Sequence, residues 1–550
     1  MVRVTFPSGK KEDYPSGTLV EAVIAEEEFQ GLGPIVAVMV NNDTASLTYR
    51  IEINCNVAPV LLDTRIGANV YRRSLCFLLS IAARKLFPDR RLVIGHSLGK
   101  GYFYYFDGMN LVPDSDLIKL EQLMKELVSE AHPIRRKVVS YLEALQSFEL
   151  IKQDDTVLLL KYRNDPKIPI YTCGNYLDLA HAPLVPNTSV LKVFDILSYP
   201  PGFVLGYPPW KNPQKMIPFK RDPALFSVFR EYKNWGKILN VSCVGRLNDM
   251  ITSRRAREFI EVAESLHDKK ISNIADRINE QRNHIRLILV AGPSSSGKTT
   301  FSKKLAIQLR VLGRNPTPIS LDDYFQPREL TPRDEQGNYN FEALEAIDIE
   351  LLNQQIIQLF QGKEVQLPQF DFHSGRRKPE TKTLALPRRS VLILEGIHGL
   401  NERLTARIPS EQKFKIYVSA LTQLNLDDHN RISTTDNRLL RRIVRDHQFR
   451  GHTAFETLSM WASVRRGEEQ NIFPFQNSAD AVFNSALDYE LAVLKVYAEP
   501  LLKTIKPNNQ VFHEARGLLS FLDNFAQIPP SWVPEQSILR EFIGESAFKY

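Results

Sequence analysis

The chain has 550 residues, a formal net charge of +7 and a hydrophobic fraction of 43%. That length exceeds a single ordinary core and predicts three or more domains, and the composition excludes a disordered or fibrous protein. The four cysteines, Cys55, Cys76, Cys173 and Cys243, form no Cys-x-x-Cys pair, which excludes a zinc ribbon or a disulfide framework and fits thiols in a reducing cytosol.

The opening Met1-Val-Arg-Val-Thr-Phe alternates like a strand and has no signal-peptide core, and no apolar run reaches membrane-spanning length. A cytoplasmic protein without membrane contact is therefore expected. Residues 1–60 read as a small β-grasp module. Strands are predicted at Val2–Phe6, Val36–Val40 and Ala45–Ile51, with Asn41-Asn42-Asp43 as a turn and Thr18 as the cap of a helix. Phe6-Pro-Ser-Gly-Lys followed by Pro15-Ser-Gly-Thr-Leu resembles the TGS domain at the start of threonyl-tRNA synthetases. Residues 61–200 continue that resemblance. Arg72 to Pro88 and Leu92 to Asp107 resemble one part of the synthetase editing domain, and Asp178 to Thr188 its other signature segment. That family carries His-x-x-x-His in one segment and Cys-x-x-x-His in the other. Here the matching positions are Arg73 and Phe77, then Ala180 and Leu184. His96 and His181 remain, outside the spacing of a metal site. The resemblance thus implies a retained fold without editing chemistry, and an RNA or translation partner is its remaining functional implication.

Residues 201–283 read as a proline-rich linker followed by a helical connector. Residues 198–223 hold Pro200-Pro201 and Pro208-Pro209, and Arg254 to Arg282 has helical periodicity. From 284 to 500 the pattern alternates strand and helix, with strands predicted at 285–291, 316–321, 391–395, 414–419 and 480–484. This predicts a parallel three-layer α/β domain. Residues 501–550 add a helix over Gly517 to Phe525 and a short amphipathic tail, Ile538 to Phe542.

The first of those strands runs straight into Gly292-Pro293-Ser294-Ser295-Ser296-Gly297-Lys298-Thr299-Thr300. Strand, glycine loop and helix in that order make a P-loop. Its backbone N–H groups and the helix dipole favour phosphate. Lys298 is expected at the β- and γ-phosphates, and Thr299 at Mg²⁺. Asp322 and Asp323 end the second strand, where ligands of parallel sheets sit. Glu395 ends a strand of Walker B form, Val391-Leu-Ile-Leu-Glu, and is the second expected Mg²⁺ ligand. Arg438, Arg441, Arg442 and Arg445 recur at i, i+3, i+4 and i+7, along about 10 Å of one helix face. They are expected to face ATP, with Arg441 and Arg445 catalytic and Arg450-Gly451 at a lid hinge. Asp436 and Asp446 can pair with some of them.

These segments together resemble the uridine kinase/phosphoribulokinase family over about residues 284–500. The resemblance implies ATP and Mg²⁺ as cofactors, phosphorylation of a sugar hydroxyl, and Asp322 as general base. It also implies an acceptor face of Asp323, Tyr324, Phe325, Phe370, Asp371, His373, Arg376 and Arg377. One segment departs from the family. Uridine-cytidine kinases have Tyr-Asp-Phe-x-x-His-x-Arg, and here Phe370 replaces the tyrosine and Gly375 the histidine. A nucleoside, another sugar or sugar phosphate, and a regulatory ATP-binding role all remain readings of the sequence, as does a homo-oligomer.

Overall fold

The computed structural model describes residues 1–549 except 25–28, 30–32, 334–336, 338, 372–373 and 388. At the start, strands β1 (Val2–Thr5), β2 (Lys11–Tyr14), β3 (Ile35–Val40), β4 (Asp43–Ala45) and β5 (Cys55–Leu61) form one sheet in the order β2-β1-β5-β3-β4. β1 and β5 run parallel and the other pairs antiparallel. Asn41 and Asn42 turn the chain with φ of 50° and 61°, a left-handed conformation that asparagine tolerates. Two expectations change here. The strand expected over Ala45–Ile51 breaks at Ser46–Thr48, where the two hydroxyls bond each other at 3.0 Å. Thr18 does not cap helix α1 (Val20–Ile24), because its hydroxyl donates back to the Pro15 carbonyl at 2.7 Å.

The next unit is built on α2 (Arg65–Leu86). Strands β6 (Leu92–Leu98) and β7 (Gly101–Phe106) lie in one antiparallel sheet, and β8 (Arg135–Ser140), β9 (Lys167–Cys173) and β10 (Tyr176–Leu179) in another. The first sheet is completed by β11 (Asp195–Tyr199) and β12 (Gly202–Gly206). Part of the expected proline-rich linker is therefore a hairpin, with Pro200-Pro201 at its turn. Helix α3 (Pro223–Ile238) covers this sheet through Phe226 and Phe229, which pack with Phe103, Tyr199 and Val204.

Helix α4 (Ala256–Glu280) leads into the last unit. There β13 (Leu287–Ala291), β14 (Asn315–Ser320), β15 (Ser390–Glu395), β16 (Lys413–Ser419) and β17 (Ala481–Asn484) form a wholly parallel sheet, ordered β14-β15-β13-β16-β17. All five residues of β13 are buried, as a central parallel strand covered on both faces requires. One apolar cluster joins Ile288, Val290 and Phe301 here with Ile274 of α4 and with Ile168 and Leu179 of β9 and β10. The halves are thus welded through a common core. Among the described residues, no helix is long and apolar enough to cross a membrane.

Candidate active site

β13 ends at Ala291, and the loop from Gly292 delivers the chain to α5 (Lys298–Val311). Gly292 passes so close to the Val418 carbonyl that a Cβ would collide with it. Gly297 caps α5 at φ 83°. Lys298 and Thr299 therefore stand in the first helical turn, where backbone donors have no intrahelical acceptor.

The Thr299 hydroxyl donates to Glu395 Oε1 at 3.0 Å, across β13 and β15. Glu395 Oε2 is buried and has no hydrogen-bond partner. A hydroxyl and a carboxylate with an uncommitted oxygen are hard donors that fit Mg²⁺. Burial raises the Glu395 carboxyl to about 7; Lys298 opposes the rise, and Asp322 and Glu541 add to it. Burial also lowers the Lys298 ammonium, against the pull of Glu395, Glu541 and Asp322. Asp322 is exposed at the end of β14, while Asp323 is turned inward and accepts from the Phe370 N–H at 3.4 Å. Burial raises the Asp323 carboxyl, partly offset by that bond. The two neighbouring acids thus differ in freedom: one faces outward and the other braces the next segment.

Helix α6 (Thr434–Arg450) starts at its Ser433 cap and stops at Gly451, φ 68°. Arg438, Arg441 and Arg442 meet the loop, and these three, like Arg445 and Arg450, each hold a carboxylate. Arg438 donates to the Ser294 carbonyl at 2.9 Å and pairs with Glu468. Arg442 donates to the Ser294 hydroxyl at 2.7 Å and to Asp446 at 2.6 Å. Arg445 lies 3.2 Å from Glu541, and Arg450 3.2 Å from Asp446. Arg441 corrects an expectation. It is fully buried, donating to the Ser295 carbonyl at 3.3 Å, the Ser485 carbonyl at 2.8 Å and Glu490 at 2.5 Å. Its place is behind the loop, holding the loop's shape, and not on the phosphates.

The expected acceptor face also divides. Tyr324 is buried and its hydroxyl donates to Gln355 at 2.7 Å. Phe325 and Phe370 pack ring to ring, 5.7 Å apart, in the same apolar cluster. Asp371 receives the Ser374 N–H at 3.3 Å. Arg377 is tied to Asp348 at 2.9 Å and to the Tyr324 and Phe325 carbonyls, and Arg376 pairs on the surface with Glu329. Tyr324 and Arg377 therefore build the wall instead of reaching into the site. His373 lies outside the described residues. The motifs did not disclose Glu468, whose carboxylate accepts from the Ser294 N–H at 3.0 Å, or Glu541, which accepts from the Thr300 N–H. Both come from segments without a recognisable pattern.

In the N-terminal half, Phe77 and Leu184 are buried in one apolar cluster with Ala180 against it. A loop between β16 and α6 closes on this region. Asp427 meets His181 at 3.1 Å, His429 meets Asp178 at 2.9 Å, and Asp428 holds Arg91 at 2.6 Å. His96 is buried against the Phe229 ring, as expected of a structural histidine.

Comparison with known proteins finds two kinds of relative for the two halves. Residues 287–492 match the family described as "Phosphoribulokinase / Uridine kinase family". The N-terminal half matches threonine–tRNA ligases. It is 30% identical over 199 residues to that of Symbiobacterium thermophilum and 32% identical over 200 residues to that of Acholeplasma laidlawii. Each match covers 36% of this chain and 31% of the relative, so the chain spans about a third of the curated relatives it matches. Among solved structures, one titled "Structure of a Possible Uridine Kinase from Bacillus stearothermophilus" is 20% identical, with a TM-score of 0.25, over 38% of this chain and all of that one. The family match supports a P-loop kinase unit joined to a synthetase-like N-terminal half.

Proposed function

We propose that this protein transfers the terminal phosphoryl group of ATP to a sugar hydroxyl of a nucleoside, uridine or cytidine in the first instance. The observation that carries the reading is the junction of Lys298, Thr299 and Glu395 at the sheet's carboxyl edge, with Asp322 exposed in the turn that follows the adjoining strand. Lys298 and the loop amides hold the donor phosphates. Thr299 and Glu395 would hold Mg²⁺, which when bound would supply positive charge against the charge of the transferring phosphoryl group. Asp322 takes the proton of the acceptor hydroxyl. The ion pairing of Arg376 and Arg377 favours an uncharged acceptor over a sugar phosphate. Phe325 and Phe370 supply an apolar floor.

The N-terminal half, residues 1–200 with its TGS-like and editing-like units, has a binding or scaffolding role in this reading, with RNA as its candidate partner. The full chain with ATP–Mg²⁺ should phosphorylate uridine or cytidine in a screen against nucleosides and sugar phosphates. Lys298→Ala, which removes the main cation from the transferring group, should lose about 10³-fold or more. Transfer only to sugar phosphates refutes the nucleoside reading, and undiminished transfer by Lys298→Ala refutes the P-loop assignment.

A further inference from the structure

The C-terminal segment reaches the phosphate cradle. Glu541 lies 241 residues from Thr300, yet its Oε2 accepts the Thr300 backbone N–H at 3.0 Å and the Thr300 hydroxyl at 2.8 Å. Its Oε1 lies 3.2 Å from the Arg445 guanidinium. Thr300 is the third residue of α5, so its N–H is one of the orphan donors of that helix start. Such donors, together with the dipole, are what a phosphate oxygen accepts from at a P-loop. Arg445 is the arginine of α6 placed to meet the same anion. One protein carboxylate thus holds two groups suited to a nucleotide phosphate.

The surrounding segment is seated to keep it there. Residues 537–543 are all buried. A Cβ on Gly297 would lie 2.5 Å from Ile538 Cγ2, so the loop glycine and the tail are in direct contact. The Phe542 ring sits 4.9 Å from the Arg441 guanidinium. Apolar burial therefore anchors the segment, while its one acid is aimed at the loop. Glu541 also bears on the Lys298 and Glu395 side chains through its field.

We infer that the C-terminal segment is an intramolecular phosphate mimic, in which Glu541 competes with the donor nucleotide for Thr300 and Arg445. A polyphosphate that takes Thr300 and Arg445 must displace the carboxylate from them. Glu541 thereby lowers the affinity for the donor. Anything that draws the tail away raises that affinity. The inference rests on the reading that the P-loop holds donor phosphates.

The test is calorimetric binding of ATP–Mg²⁺ and of inorganic tripolyphosphate to the full-length chain and to Glu541→Gln, which keeps the shape and removes the charge. Both probes should bind the variant roughly tenfold more tightly or better, the scale of one charge-assisted hydrogen bond. Glu545→Gln, which removes the exposed partner of Arg540, should bind as the wild type does. Arg445→Gln should weaken binding more in the Glu541→Gln background than alone, because only there is Arg445 released. A carboxylate that merely braces the fold gives equal losses in both backgrounds. Equal affinity of wild type and Glu541→Gln overturns the inference and leaves the donor-site reading intact. If neither protein binds either probe, the donor-site reading falls and the inference with it. A measurement on the wild type alone covers misfolding of the variant. Saturating ATP–Mg²⁺ should speed deuterium uptake in residues 537–549, and unchanged or slower uptake overturns the mimic.

Discussion

The pocket of the N-terminal half and the P-loop of the C-terminal half are both closed by residues from far along the chain, but their own chemistry differs. In the first, the positions that resemble a metal-binding editing site hold Arg73, Phe77, Ala180 and Leu184, and an apolar cluster takes in three of them. The loop carrying Asp427, Asp428 and His429 then locks onto His181, Arg91 and Asp178. In the second, Lys298, Thr299, Glu395 and Asp322 all remain at the carboxyl edge of the sheet. The contrast teaches that apolar side chains and ion pairs from the same chain turn one region into an interface, whereas hard oxygen donors gathered beside a cation, such as the Thr299 hydroxyl and Glu395 Oε2 near Lys298, can still accept a ligand. The loop that locks the first pocket leads directly into Ser433 and α6, so it also sets where the arginines stand over the second.

The largest effect should come from the acid that the second pocket leaves exposed. Asp322→Asn keeps the shape but cannot take a proton, and turnover should fall by about 10²–10⁴-fold while ATP binding stays within a few-fold. Asp323→Asn is the comparison, since Asp323 is engaged by the Phe370 N–H. Its loss should be smaller and should appear mainly in KM for the acceptor. Steady-state kinetics of the two variants checks this, and the opposite ranking moves the base to Asp323.

Arg441→Ala asks whether the P-loop is held from behind. The arginine is fully buried between the Ser295 carbonyl, Ser485 and Glu490, so truncation strands the Glu490 carboxylate. Removing one partner of a buried pair typically costs about 3–5 kcal/mol. The melting temperature should drop by several degrees, with nucleotide affinity falling alongside it. An unchanged melting temperature together with a lower kcat would return Arg441 to the transition state.

How much of this was legible in the sequence follows from the distance over which each feature is written. The P-loop is nine consecutive residues, and its glycines have local reasons, at Gly292 against Val418 and at Gly297 with φ 83°. The inner strands β13 and β15 were legible as apolar runs, because both faces of a central parallel strand are covered. The arginine face was legible as a period, and so was Asp446, four residues from both Arg442 and Arg450, but the distant carboxylate partners were not. Glu468, Glu490 and Glu541 lie 30 to 96 residues beyond their arginines, and no spacing rule links them to α6. The broken strand at Ser46–Thr48 and the hairpin at Pro200-Pro201 were misread because local propensity gave way to hydroxyl bonding and to a sheet partner.

The smallest effect concerns the lock in the first pocket. Burial alone would lower the His429 imidazole, but Asp178, with Asp428 and Asp427, outweighs it and holds the group at about 9. The unfolded chain releases that proton near 6.5. A group raised on folding contributes its full stability below the unfolded value and loses it as pH rises through the folded one. The lock should therefore weaken between about pH 6.5 and 9, by no more than about 3 kcal/mol from the linkage of this one group. The Asp427 carboxyl runs the other way. Burial would raise it, but His181 and His429 hold it below its ordinary value, so its contribution is present above about pH 4 and lost on acidification. Thermal melting of the whole protein should accordingly be most favourable between those limits and decline on the alkaline side. His429→Gln keeps a polar side chain near Asp178 and removes the titration, so it should flatten the alkaline decline while lowering the plateau. If the variant declines with the same slope as the wild type, the alkaline loss arises elsewhere and the ion pairs do not hold the two halves together. If the slope flattens and turnover of the kinase unit changes in step with it, the filled pocket acts on the working one through the loop that enters α6.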